Sequence, residues 1–569
     1  MSLDLAVSFR GYRRAWLRPD LIAGLTVWAV LVPESLAYAT IAGVDPVVGL
    51  YAAVPSLVLY ALIGSSRHLV VAPMSATAAL SAGVIATVAP SGDHGAYLAL
   101  STALALATGI AAVVAGALRL GFLAGFISEP VLKGFIIGLA LTIIVGQLPS
   151  LFGVDKGSGN FFEKLWDLVR HLGDTEPLAL AVGAVSLVTL LLLRRFLPLV
   201  PGSLLVAMAG IGVVAMFGLD DHGLEIVGHI DSGLPQLGLP AITASDVSAL
   251  LAGGVGVMLV GFSEGLGAAK TYAAKAGYDI DPNRELLGLG VANLGTGMAS
   301  GMVVNGSLSK TAVNGAAGAK SQLSTVTTAV LTLLTLLFLT GLFENLPEAC
   351  LAAIVIAAVI ELVDVASLRR LWRFRAGSVA KTYSLTARAD FSAAVATVAG
   401  VLVFDTLPGL AIGIAVSLVL LLARTSDPHL AQLAPTDTAQ HAPWVDISRN
   451  PDFAAPPGVL VIRVEGPLVF ANADHVRSAV RELARDHDAL DLVVLDGRTT
   501  PSIDITAAEM LAQLRTDLRR MGADLALAAN IGQVRDVLAK ADPEGAEPRM
   551  FPSIDAAIAS RASPDRDRE

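Results

Sequence analysis

From about residue 21 to about residue 424 the chain is a succession of apolar runs, most of them long enough to cross a bilayer, separated by short polar turns. Twelve such runs stand out, from LIAGLTVWAVLVPESLAYATIAGV through YLALSTALALATGIAAVVAGAL to LAIGIAVSLVLLL. In lipid the backbone must satisfy its own polar groups, and continuous runs of this length do so as helices. Composition agrees, since a hydrophobic fraction of 54%, a charged fraction of 15% and a mean hydropathy of +0.67 are too apolar for a water-soluble chain of 569 residues. The fold class is therefore an α-helical polytopic membrane protein. The N-terminal stretch MSLDLAVSFRGYRRAWLRPD carries four arginines and no signal-peptide core, so the first run is expected as a retained membrane helix. Cys350 is the only cysteine, which excludes a disulfide framework and a cysteine metal cluster. A net charge of -10 argues against nucleic acid as a partner.

Two further stretches, roughly 75–89 and 309–319, are too short or too polar to span alone, and counting them as broken helices brings the total to fourteen. Loop charges support that count. The even-numbered ends carry Arg67; Arg119; Arg194 and Arg195; Lys270, Lys275 and Arg284; Lys320; Arg369, Arg370, Arg373, Arg375 and Lys381; and Arg424. The odd-numbered ends carry Asp45, Asp93, Asp220, Asp221, Glu344, Glu348 and Asp405. By the positive-inside rule both termini are expected in the cytoplasm, and omitting either short stretch breaks the alternation. Glu361 and Asp364, near the basic loop, read as interface residues.

The short stretches hold corresponding places. VVAPMSATAALSAGVIATVA comes about 50 residues after the opening helix starts, and VVNGSLSKTAVNGAAGAK about 60 after the helix that starts near 247. Each is the third span of a seven-span half, and an odd number of spans turns the second half over. This is the pattern of an inverted repeat, and paired interrupted segments point to a midplane binding site.

A helix that begins inside the membrane aims unpaired N–H groups and the positive end of its dipole at the midplane, which makes an anion site. In NGSLSKTAVNGAAG, Ser307 and Ser309 add hydroxyls and Lys310 a full charge; Ser75 and Thr77 are the counterparts in the first half. Two carboxylates belong with them: Glu34, after a helix-interrupting Pro33 in the first span, and Glu264 in the eighth. Intramembrane carboxylates are costly and readily held neutral, so either residue is a candidate proton carrier. GLGVANLG from Gly288 reads as close helix packing rather than a dinucleotide fingerprint, because no strand precedes it. His68, beside Arg67, reads as a solvated loop residue. No Ser/His/Asp arrangement or metal-ligand spacing lies within the spans, so neither an enzyme nor a cofactor is expected.

After Arg424 the pattern changes. Residues 1–425 read as the transmembrane domain, 426–443 (around SDPHLAQLAPTDTAQHAP) as a linker, and 444–565 as a soluble α/β domain on the cytoplasmic side. Its strands are VLVIRVEG, LDLVVLDG and DLALAA, and its helices NADHVRSAVRELARDH, the end of SIDITAAEMLAQLRTDLRRMG and IGQVRDVLAKA.

The stretch from DLIAGLTVWAV to SSRHLVVAP resembles the signature of the SulP (sulfate permease) anion transporters, SGMVVNGSLSKTAVNGAAGA resembles their tenth-helix motif, and the soluble end with its SIDITA loop resembles their STAS domain. The resemblance covers nearly the whole chain. It implies a seven-plus-seven inverted repeat with core and gate domains, an elevator-type cycle and a homodimer, in a bacterial-type inner membrane. It also implies a substrate site at Glu34, Tyr38, Ser75, Glu264, Ser309 and Lys310. Lys310 stands where many relatives have Arg, which keeps the charge and loses the planar bidentate fork; Glu34 stands where many have Gln, and that extra carboxylate favours proton coupling, with Glu264 and Glu34 as the candidates. Thr506 matches a phosphorylated Ser of the anti-sigma-factor antagonists, although a Thr capping the next helix needs no other role. The function expected is proton-coupled symport of a small oxyanion: sulfate, bicarbonate or a dicarboxylate. The alternatives are sodium-dependent bicarbonate transport and a membrane-tethered anion sensor that signals through the STAS domain.

Overall fold

The computed structural model describes residues 6–562 apart from 90–93, 123–126, 158, 198–199, 231, 364–365, 367–368, 370–379, 405, 438–441, 488, 530 and 542–548. Of the charges used above, Asp93, Asp364, Arg370, Arg373, Arg375 and Asp405 lie outside the described residues, as do the side chains of Glu361 and Lys381. The chain divides into two compact units, Met1–Ser417 and Leu418–Glu569.

The first half of the membrane unit contains α1 (Leu17–Ile41), α2 (Pro46–Ile63), strand β1 (Val70–Ala72), α3 (Ser75–Ala86), α4 (His94–Ala117), α5 (Glu129–Phe152), α6 (Phe161–Arg170), α7 (Pro177–Phe196) and α8 (Gly202–Phe217). The second half contains α9 (Ala244–Ala276), α10 (Pro282–Met298), strand β2 (Asn305–Ser307), α11 (Leu308–Ala316), α12 (Leu323–Phe338), α13 (Glu348–Val359), α14 (Ala380–Phe404) and α15 (Thr406–Ser426). Among the described residues seven helices are long and apolar enough to cross a membrane, and five more apolar segments are shorter. The amphipathic α6, absent from the sequence reading, is started by a capping box in which Asn160 accepts from Phe162 N and Glu163 N while Glu163 accepts from Asn160 N. Pro33 does not interrupt α1, which runs through it, although its missing N–H removes one bond from the helix ladder.

Two bundles result. One joins α1–α4 to α9–α12, the first four segments of each half; the other joins α5, α7 and α8 to α13 and α14, with α15 against α14. α1 also touches α8 and α13, and so lies where the bundles meet. Glycines set the close contacts. A Cβ on Gly290 of α10 would stand 2.7 Å from Val113 N of α4, and one on Gly109 would stand 2.9 Å from Gly290 O. Gly288 faces Tyr60 and Gly64, so GLGVANLG is a packing surface.

The soluble unit carries a six-stranded sheet in the order β4-β3-β5-β6-β7-β8. These are β3 (His429–Pro435), β4 (Trp444–Asp446), β5 (Val459–Glu465), β6 (Leu492–Asp496), β7 (Asp524–Ala528) and β8 (Arg549–Phe551). β5 through β8 are parallel, while β3 is antiparallel to both β4 and β5. Helices α16 (Ala473–Arg485), α17 (Ile505–Arg520) and α18 (Gly532–Ala541) cover one face, and α19 (Ile554–Ala559) the other. Alternation along β5 feeds both cores, with Leu460, Ile462 and Val464 under the three helices and Val459 and Val461 under α19.

β3 lies inside the stretch read as a linker. Its prolines and polar neighbours hide the pattern, yet Leu430 packs on the three-helix face while Ala431 and Leu433 are buried on the other. A soluble fragment starting at residue 427 is therefore expected to melt cooperatively, whereas one starting at 444 leaves the β5 edge unpaired and loses cooperativity. Circular dichroism melts of the two fragments check this, and equal cooperative melts would return 426–443 to linker status.

Candidate anion-binding site

β1 and β2 pair antiparallel, with Val70 opposite Ser307, Val71 opposite Gly306 and Ala72 opposite Asn305. Each strand leads into a short helix, so α3 and α11 begin at opposite ends of one three-residue ladder. Gly306 permits this, because a Cβ there would come within 2.9 Å of Gly265 Cα on α9. The polar residues of the 305–318 stretch are largely spent on locking the junction. Ser307 caps α11 by accepting from Lys310 N at 3.3 Å, and Thr311 Oγ1 accepts from Val70 N at 3.1 Å while donating to Ser307 O. Asn314 Nδ2 donates to His68 O, and Gln322 Nε2 to Ser66 O and Leu69 O, each at 2.9 Å.

Lys310 is left with its amine inside the protein, at 1% exposure. Its Nζ stands 2.8 Å from Glu34 Oε2, donates to Pro73 O at 3.1 Å in the loop entering α3, and lies 4.7 Å from the centre of the Tyr38 ring. Glu34 and Tyr38 are one turn apart on α1, and the Tyr38 hydroxyl donates to the same Oε2 at 3.2 Å. Three of the six expected site residues therefore form one contact group. Ser75 is buried as the first residue of α3, with Thr77 beside it in the same turn. Ser309 is exposed, and its hydroxyl lies 3.2 Å from that of Ser307.

Glu264 is half-buried on α9, and its carboxylate is in no hydrogen bond or ion pair among the described residues. Its neighbours Gly261 and Gly265 pass close to Asn305 and Gly306. In the soluble unit the cap of α17 is Asp504, which accepts from Ala507 N at 2.9 Å; Thr506 sits exposed inside the first turn and is not the cap.

His68 is not a solvated loop residue. It is 7% exposed, with Nδ1 2.9 Å from the Tyr278 hydroxyl and Nε2 3.1 Å from Ala319 O, because the loop after α2 turns inward to start β1. Two carboxylates absent from the sequence reading anchor the same bundle. Asp20 accepts from Lys320 N, Ser321 N and Ser321 Oγ, and Glu285 accepts from Tyr60 Oη, Ser65 N, Ser65 Oγ and Ser66 N. Asp20 had a signal, being acidic at the start of an apolar run; Glu285 was masked by the basic loop around Arg284.

The chain matches the sulfate permease family over residues 17–381 and the STAS domain over residues 450–557. A Mycobacterium tuberculosis protein named as a probable sulfate transporter is 36% identical over 537 residues, 94% of this chain and 92% of its own length. Sulfate transporter 1.1 of Arabidopsis thaliana is 30% identical over 560 residues, 92% of this chain and 82% of its own. Among solved structures, the murine Solute Carrier 26 family member A9 anion transporter in the inward-facing state aligns with a TM-score of 0.88 at 22% identity, covering 98% of this chain and 94% of that one. The transmembrane domain of the cyanobacterial bicarbonate transporter BicA aligns with a TM-score of 0.59 at 22% identity, covering 71% of this chain and 98% of that one. Fold and matches together define a polytopic membrane transporter joined to a STAS domain. The chain belongs to the sulfate permease family.

Truncating either member of a buried ion pair strands the other charge, at a cost of roughly 3–5 kcal/mol. Glu34→Ala and Lys310→Ala are each expected to destabilise the detergent-solubilised protein by about that amount. The double variant should lose less than the sum, with a coupling of roughly 1–3 kcal/mol. Unfolding measurements on the four proteins check the cycle, and strict additivity would mean that the pair does not form.

Proposed function

We propose that the chain is a secondary active transporter that carries a small oxyanion, of the class of sulfate, bicarbonate or a dicarboxylate, together with a proton. The observation that carries this reading is the buried Lys310 ammonium in the first turn of α11, beside the loop that enters α3. A helix N-terminus and a full cation at such depth favour a negatively charged ligand. A charge-assisted hydrogen bond from Lys310 would hold one of its oxygens. Ser75, at the start of the opposing short helix, and Ser309 supply nearby hydroxyls, and Tyr38 orients the carboxylate beside the cation. The names of the Mycobacterium and Arabidopsis relatives support sulfate as the first anion to try. Glu34 on the cation and Glu264 on α9 offer two carboxylates as proton carriers.

The same reading has the bundle of α1–α4 and α9–α12 carry the site past the other bundle in an elevator-type cycle within a homodimer, with both termini in the cytoplasm. Internal pairing of the two halves along one ladder supports movement of the site as a single body.

The test is uptake by the purified full chain in liposomes, with labelled sulfate, bicarbonate and fumarate under an inward proton or an inward sodium gradient. The expected result is accumulation driven by protons. Lys310→Ala should lose about tenfold or more in apparent affinity, since hydrogen bonds to charged groups contribute about 1.5–3 kcal/mol, and Lys310→Arg should retain part of the activity. Wild-type uptake by Lys310→Ala removes Lys310 from the site, and sodium-driven uptake without a proton response overturns the coupling.

A further inference from the structure

We propose that Glu34 is a tethered competitor of the transported anion: its carboxylate occupies the place on Lys310 that the substrate takes, and a proton arriving on Glu34 frees that place. This deepens the function proposed above and rests on its location of the site. Three groups among the described residues surround Lys310 Nζ. Glu34 Oε2 is 2.8 Å away, while the Pro73 carbonyl at 3.1 Å and the Tyr38 ring at 4.7 Å are both neutral. With Lys310 1% and Glu34 7% exposed, little water is at hand to screen a second anion brought to the same ammonium. An incoming oxyanion therefore meets a neutral pair with one carboxylate already seated. It gains the cation only when the carboxylate leaves or loses its charge.

The proton balance is simple. A proton from solvent adds to Glu34, the ion pair with Lys310 gives way, and a substrate oxygen takes the freed ammonium. The protonated carboxyl, an acceptor until then, now has an O–H to donate to the substrate. Release on the other side runs in reverse: Glu34 gives up its proton, returns to Lys310 and helps expel the anion. One proton thus travels with each anion, and the coupling lies in the displacement itself.

The ionisable groups around Glu34 leave this exchange to the pair. Tyr38 shares its helix and Lys310 comes from α11. Of the other elements packed on α1, helices α3, α8 and α12 contain no ionisable side chain. On α13, Cys350 is engaged with Ser186, and Glu348 pairs with Lys156. On α2, Tyr60 is engaged with Glu285, while Tyr51 is the remaining ionisable residue. Arg14, in the short turn before α1, lies near the opposite end of that helix. On α7, the Arg194 guanidinium donates to Ala357 O.

The test is equilibrium binding of labelled sulfate to the full chain in lipid nanodiscs between about pH 5.5 and 8.5, where sulfate keeps its double charge. For the wild type, Kd is expected to rise by up to about tenfold per pH unit where Glu34 is ionised in the free protein, the limit for one linked proton. Glu34→Gln has the same size and no charge to compete, so its binding should be flat with pH and at pH 8.5 tighter than wild type by about tenfold or more. A second measurement, independent of any variant, is proton uptake on adding sulfate to wild type in weak buffer near pH 8, expected at about one proton per sulfate bound. Wild-type pH dependence in Glu34→Gln, or no proton uptake, overturns the tethered competitor; the site itself then stands if Lys310→Met in the Glu34→Gln background still abolishes binding. Unchanged binding by that double variant instead overturns the site, and this inference with it.

Discussion

An ammonium group held inside a membrane bundle constrains everything around it. Unpaired, Lys310 would be among the least favourable groups to insert in lipid, and its side chain is nonetheless almost wholly enclosed. The molecule meets that demand with three parts from two segments of the chain: a carboxylate on α1, a carbonyl in the loop entering α3, and an aromatic face one turn along α1. To bring them together the two halves must cross, and the β1–β2 ladder is that crossing. Three residues on each side suffice because the ladder is buried, where each backbone hydrogen bond matters more than at a wet edge. Thr311 then bonds to β1 itself, and Asn314 and Gln322 to the loop leading into it.

Much of this was legible in the sequence. Apolar runs set the helices, and the two interrupted stretches identified the segments that meet. Lys310 stood out as a cation among small residues and Glu34 as an intramembrane carboxylate, while Tyr38 came only through the family resemblance. The strands were not legible: VVA and NGS are too short to show a period of two, and each is strand only because the other lies beside it. Partner choice was equally hidden. Composition does not say which carboxylate reaches Lys310, and it is Glu34 that does so, while Glu264 remains apart from that pair. The role of Thr311 as a tie likewise depends on a contact made across more than two hundred residues, whereas the Ser307 cap is local.

In the soluble unit the legible strands were those with unbroken apolar runs, β5, β6 and β7. The sequence reading passed over β3, because Pro428 and Pro435 bracket a strand whose side chains divide between two cores. Residue 506 was misplaced by a small step of helix geometry. The cap falls on Asp504, two residues earlier, and the Thr506 hydroxyl therefore points out of a finished turn.

The pairing of Lys310 with Glu34 also has an electrical side. A site holding one positive and one negative charge side by side has no net charge for the transmembrane voltage to act on, so in the cycle proposed above the empty form would change sides without doing work against the field. Neutralising Glu34 would leave the empty site carrying one positive charge. A full crossing of the field would then be biased by ~2.3 kcal/mol per 100 mV. In that cycle a single residue on α1 would set whether the unloaded protein is indifferent to membrane potential or is held on one side by it.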